Sequence, residues 1–202
     1  RMWLDTVFHK IFGIEVALDA TTADFYFDRI GGLLSQPEFL PRALFERFNI
    51  ELLATTESPL DDLRYHRQLR DSKWSGKVIT AFRPDPVVDP EFQGFTQNIA
   101  RLAEITGTQT DTWCGYLLAL RQRRDFFRSM GATSTDHGHP TANTQDLPAA
   151  QCTDLFDKAR SGICSAEEAE RFRGQMLTEM AAMSVDDGLV MQIHPGSFRN
   201  HN

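Results

Sequence analysis

Four short stretches carry most of the chemistry-bearing side chains of this sequence: Thr55-Thr56-Glu57, Arg83-Pro84-Asp85, Asp136-His137-Gly138-His139, and His194-Pro195-Gly196 with Arg199 close behind. Arg83 offers a planar fork that can grip a carboxylate through two parallel hydrogen bonds, and the proline after it holds it extended. An ordinary salt bridge to Asp85 is the competing use of that guanidinium. Histidine is a common metal ligand and also the side chain that exchanges a proton near neutral pH, so His137, His139 and His194 are candidates for either task. The H-x-H pair alone makes a poor zinc site, because zinc takes three or four ligands and no second pair at a suitable spacing follows. Thr55 and Thr56 read more simply as a strand end, with Ser58 capping the helix that follows. The sequence contains no Walker loop, G-x-G-x-x-G or G-x-S-x-G, so phosphate-loop and serine-hydrolase readings have no support.

Each loaded stretch ends or follows a short apolar or β-branched run: residues 50–56 (IELLATT), 77–82 (KVITAF), 132–135 (ATST) and 188–193 (GLVMQI). Such runs alternating with helices predict a parallel sheet built from strand–helix units, and active sites in such sheets form just past the C-terminal ends of the strands. The connecting helices announce themselves. Ser58, Pro59 and Asp61 open one expected over 58–70, and Phe92, Phe95, Ile99 and Leu102 mark another that stops near Gly107. Asp111 to Met130 and Asp146 to Ser161 each carry an apolar face and meet a glycine. Ser165 and Glu168 form a capping box ahead of Ala169, Phe172, Met176 and Met180 on one face. Residues 1–48 read as a helical segment packing on the remainder, with Phe25, Arg29 and Leu33 aligned and a break at Gln36-Pro37; residues 49–202 carry the strand–helix units.

Composition narrows the partners. Lys and Arg number 21 against 28 Asp and Glu, a net charge of −7, which argues against a nucleic-acid or anionic-membrane surface and leaves room for a small anion held by a few placed cations. No apolar run approaches the length of a membrane span. Three cysteines without C-x-x-C spacing point to a reducing compartment, hence the cytoplasm. The sequence opens on Arg1 rather than Met, so a segment cut from a longer chain is expected.

Taken in order, L-L-A-T-T-E-S-P-L-D-D-L-x-Y-H, F-R-P-D, T-D-H and Q-I-H-P-G-S-F-R-N-H-N resemble the uronate (glucuronate) isomerases of the amidohydrolase superfamily, along essentially the whole chain. The resemblance implies an α/β fold, a partial (β/α)8 TIM-like barrel with about four parallel strands and an N-terminal helical region, in proteins roughly twice this long; a full barrel of about 250 residues does not fit in this chain. It implies interconversion of D-glucuronate with D-fructuronate, and of D-galacturonate with D-tagaturonate, by proton transfer through an enediol. It also implies a divalent metal, zinc by expectation, whose own ligands lie before Arg1 and beyond Asn202, so that the chain alone is inactive. In register with the family, Asp136, His137 and His194 fall at catalytic positions, with His194 near the metal, while Arg83 and Arg199 fall where the uronate binds. His139 has no counterpart in the motif. Thr55-Thr56-Glu57-Ser58-Pro59 departs from the family's T-T-D-D-P, and His201 from its R-N-N-N. The alternatives are a metal-dependent hydrolase on the same scaffold and a non-catalytic sugar-acid-binding fragment; an open half-barrel of that kind is expected to form a homo-oligomer that covers its sheet edges.

Overall fold

A computed structural model describes residues 2–196 and divides the chain into two compact units, residues 1–52 and 53–202. The first unit is helical: α1 (Met2–Phe12), α2 (Ala23–Leu34), a 3-10 turn at Pro37–Phe39 and α3 (Pro41–Arg47). Its inward residue on α2 is Tyr26 rather than Phe25, because the phenol reaches the Val16 carbonyl at 2.6 Å while its ring meets Phe8 edge-on. The break expected at Gln36-Pro37 is the 3-10 turn itself.

The second unit alternates strands with helices: β1 (Leu53–Glu57), α4 (Arg64–Asp71), β2 (Val78–Phe82), α5 (Asp85–Val88), α6 (Phe95–Thr106), α7 (Trp113–Ser129), β3 (Ser134–His137), α8 (Ala149–Arg160), α9 (Ala166–Asp187) and β4 (Val190–Ile193). The strands form one parallel sheet in the order β1-β2-β3-β4, the α/β arrangement expected of a partial barrel. Helices pack on one face, where Phe82 meets Phe127 of α7 edge-on at 5.2 Å. Trp113, Tyr116, Phe156 and Phe172 fill the space between α7, α8 and α9. On the opposite face Val190 is 65% exposed.

Caps are where local sequence chemistry acts most directly. Thr112 accepts from the Gly115 amide to start α7, and Ser165 with Glu168 forms the reciprocal capping box of α9. The helix expected over 58–70 begins only at Arg64. Its opening polar side chains cap turns instead: Ser58 Oγ accepts from the Leu60 amide, Asp61 Oδ1 from the Leu63 amide, and Asp62 Oδ1 from the Arg64 amide. Leu63 then takes a left-handed φ of 54° with its side chain fully buried. From beneath, Arg123 on α7 holds this loop by donating to the Pro59 and Asp61 carbonyls at 2.6 and 2.7 Å. Helix α6 likewise starts later than expected, at Phe95, because Gly94 turns the chain with φ 82°.

Candidate active site

Side chains alternate between the two faces of a strand, so register decides which candidates can meet. Phe82 and Thr135 are register partners, and Phe82 lies in the helix-packed core. The ladder continues past the strand ends: Arg83 N donates to the Glu57 carbonyl at 3.0 Å and His194 N to the His137 carbonyl at 3.1 Å. Arg83, Asp136 and His194 therefore project from the face away from the helices, at the C-terminal edge of three adjacent strands.

They are in contact. Arg83 Nη1 donates to Asp136 Oδ2 at 3.3 Å, and the other oxygen of Asp136 lies 2.9 Å from His194 Nδ1. Arg83 Nε donates to Asp85 Oδ2 at 2.7 Å, and Asp85 Oδ1 accepts from the Gly138 amide at 3.1 Å. A β-carbon on Gly138 would stand 2.4 Å from Arg83 Nη2 and 3.3 Å from His194 Nε2, so glycine here is what lets the backbone pass beside the cluster. An Arg between two carboxylates, with a His on the far side of one, combines fixed positive charge with a group able to exchange a proton.

His137 does not join this cluster. Being next to Asp136 in a strand, it points the opposite way, into the helix layer, where it is fully buried and its Nε2 lies 2.8 Å from Thr135 Oγ1. Burial, followed by the charges of His139, Arg124, His194 and Arg83, pushes its pKa down to about 3. The ring thus faces the core and lies apart from the contacts that join Arg83, Asp136 and His194, where the resemblance had grouped it with them. His139 is buried against His137, ring centroids 5.8 Å apart, and its pKa is lowered mainly by burial.

The strand end at β1 is also turned inward. Glu57 Oε2 accepts from Thr55 Oγ1 at 2.8 Å and Thr80 Oγ1 at 2.5 Å, and stands 3.8 Å from His66 Nε2. This is a strand–helix tie beneath α4. Arg199 and His201 lie outside the described residues.

Among the described residues no group of three His, Cys, Asp or Glu side chains is arranged to hold a metal ion. The one candidate nearby, His194, has its Nδ1 on Asp136. The described residues by themselves do not fit a zinc-class metal.

The profile of the glucuronate isomerase family matches residues 1–202, the full length of the sequence. The chain belongs to the glucuronate isomerase family. Uronate isomerases from Phenylobacterium zucineum and Rhizorhabdus wittichii are 63% and 62% identical to it over 201 and 202 residues, all of this chain but only 42% and 43% of theirs. Among solved structures, glucuronate isomerase from Caulobacter crescentus superposes with a TM-score of 0.89 at 54% identity, over 99% of this chain and 42% of that one. Uronate isomerase from Thermotoga maritima shares the fold at a TM-score of 0.86 and 23% identity. This glucuronate isomerase family member thus spans less than half the length of the relatives it matches.

Arg83, Asp136 and His194 stand at one edge, as their strand-end positions lead one to expect. Asp85 is a salt-bridge partner in the sequence, and Gly138 carries no functional mark there. Gly138 stands between two histidines at a strand end, but its use depends on a close backbone approach to Arg83, Asp85 and His194 that arises only in the folded chain.

Proposed function

We propose that this chain supplies one wall of the active site of a uronate isomerase, which interconverts D-glucuronate with D-fructuronate and D-galacturonate with D-tagaturonate. The observation that carries the reading is the contiguous Arg83–Asp136–His194 set on the C-terminal edge of three neighbouring parallel strands. The family match and the uronate isomerase names of the relatives support the substrate class.

An aldose-to-ketose conversion removes the proton at C2, returns one to C1, and moves the O2 hydroxyl proton to O1 through an enediol. It needs proton exchange at those atoms and positive charge near the oxygen that becomes enediolate. Arg83 holds a substrate oxygen, carboxylate or enediolate, against a guanidinium pinned by Asp85 and Asp136. The Asp136 carboxylate accepts from Nδ1 of His194, which selects the tautomer with Nε2 as proton acceptor and orients the ring toward a substrate hydroxyl. His137 keeps to the helix side and supports β3. Three free thiols, at Cys114, Cys152 and Cys164, support a reducing, cytoplasmic address, and no helix among the described residues is long and apolar enough to cross a membrane.

The test is to incubate the intact protein with D-glucuronate and follow the sugar by proton NMR. Appearance of the ketose, reduced at least tenfold in His194→Asn, supports the reading. No change on uronates together with hydrolysis of an ester or amide substrate would replace it with a hydrolase on the same scaffold.

A further inference from the structure

Asp85 is nine-tenths buried, yet both of its oxygens serve the edge of the site rather than the core. Oδ2 takes the Nε edge of Arg83 at 2.7 Å, and Oδ1 takes the Gly138 amide at 3.1 Å. The first bond sets the rotation of the guanidinium plane. The second ties the segment after β2 to Gly138, the first residue past β3, and so to the strand end that carries Asp136 two residues earlier. We infer that Asp85 is a positioning residue for substrate binding: it fixes the guanidinium of Arg83 so that its Nη edge faces Asp136 and the uronate. The inference rests on the uronate reading of the site given above.

Chemistry explains why a carboxylate stands here. Two acceptor oxygens face two N–H donors, one on a side chain and one on the backbone, and a charge-assisted bond to Nε is shorter and more directional than a neutral one. An asparagine could satisfy only one of the donors, because its NH2 would face either Nε or the Gly138 amide, donor against donor. With the NH2 turned toward Nε, Arg83 keeps its 3.3 Å bond to Asp136 but loses the shorter one, and its fork would swing. Displacement of a substrate-holding group by about 1 Å can cost on the order of 10²-fold in rate.

A double-mutant cycle on the intact protein tests this, with steady-state conversion of D-glucuronate as readout. Asp85→Asn is expected to lower kcat/KM by about 10²-fold, mostly through a raised KM. Added to Arg83→Met, it is expected to cost nothing further, because a residue that acts only through Arg83 has nothing left to position. A merely structural role would lower kcat by reducing the folded fraction and leave KM alone. Asp85→Glu keeps the charge and is expected to show a smaller KM rise that again vanishes in the Arg83→Met background, and it carries the test if the Asn variant does not fold. Losses that multiply, or a loss in kcat with KM unchanged, overturn the role of Asp85 alone. An Arg83→Met variant with full turnover overturns the uronate reading of the site and this inference with it.

Discussion

Lowering the pH should unfold this protein in part through one ring, and the size of that effect can be worked out beforehand. His137 is fully buried and its pKa is pushed down to about 3, chiefly by burial, whereas in the unfolded chain it returns to about 6.5. Above pH 6.5 the ring is neutral in both states and contributes no pH dependence. Below it the unfolded chain binds a proton that the folded chain refuses, so stability is lost as pH falls from 6.5 toward 3, at about 1.4 kcal/mol per pH unit. Between pH 7 and pH 5 the loss is about 2 kcal/mol. The assay is urea unfolding at both pH values, for the wild type and for His137→Gln, which keeps a partner for the Thr135 hydroxyl but cannot titrate. The variant should be less stable at pH 7 but lose about 2 kcal/mol less than the wild type on going to pH 5, since the other titrating groups are common to both. Parallel losses would show that the His137 ring is solvated or already paired as a cation, and would return it to the list of candidate acids and bases.

Gly138→Ala drives a methyl to 2.4 Å from Arg83 Nη2 and 2.9 Å from Asp85 Oδ2. These are side-chain tips that can yield, so thermal unfolding should shift little while kcat/KM on D-glucuronate drops by about 10²-fold. Arg124 is fully buried, with Nε on Asp187 at 2.5 Å and Nη2 on Asp187 and Ser184. Arg124→Met should therefore cost about 3–5 kcal/mol in denaturant unfolding, because it strands a mostly buried carboxylate, and adding Asp187→Asn should restore part of the loss. Ser165→Ala removes one half of the α9 capping box and should cost about 1 kcal/mol by the same measurement.

What was legible in the sequence follows the range of the forces involved. The capping box of α9 and its Ala169, Phe172, Met176, Met180 face depend on residues three and four apart, and both are present in the structure. The four strands show because short β-branched runs between helices have few other uses, and their parallel order follows from the helices between them. The helix start differs from the expectation at 58–63 because Ser58, Asp61 and Asp62 cap turns as readily as helices, and the turn is held by a contact from outside the segment, Arg123 donating to loop carbonyls 64 and 62 residues away. The site was half legible. Loaded strand ends mark the edge where Arg83, Asp136 and His194 meet, but Asp136 and His137 are the last residues of β3 rather than a loop after it. Within a strand, neighbours face opposite ways, which separates a pair that the sequence grouped as one motif. Of the two Asp85 bonds, the one to Arg83 is legible from their spacing, but the other crosses to a backbone amide 53 residues on and leaves no mark in the sequence.

The most direct test of the account is a crystal structure of the intact protein with D-glucuronate bound. A substrate carboxylate or hydroxyl oxygen should lie within about 2.7–3.2 Å of the Arg83 guanidinium, with His194 facing a sugar hydroxyl and its Nδ1 still on Asp136. A uronate bound on the helix side of the sheet, or on the C-terminal edge with Arg83 and His194 turned away from it, would contradict the claim that this edge is where the sugar acid is handled.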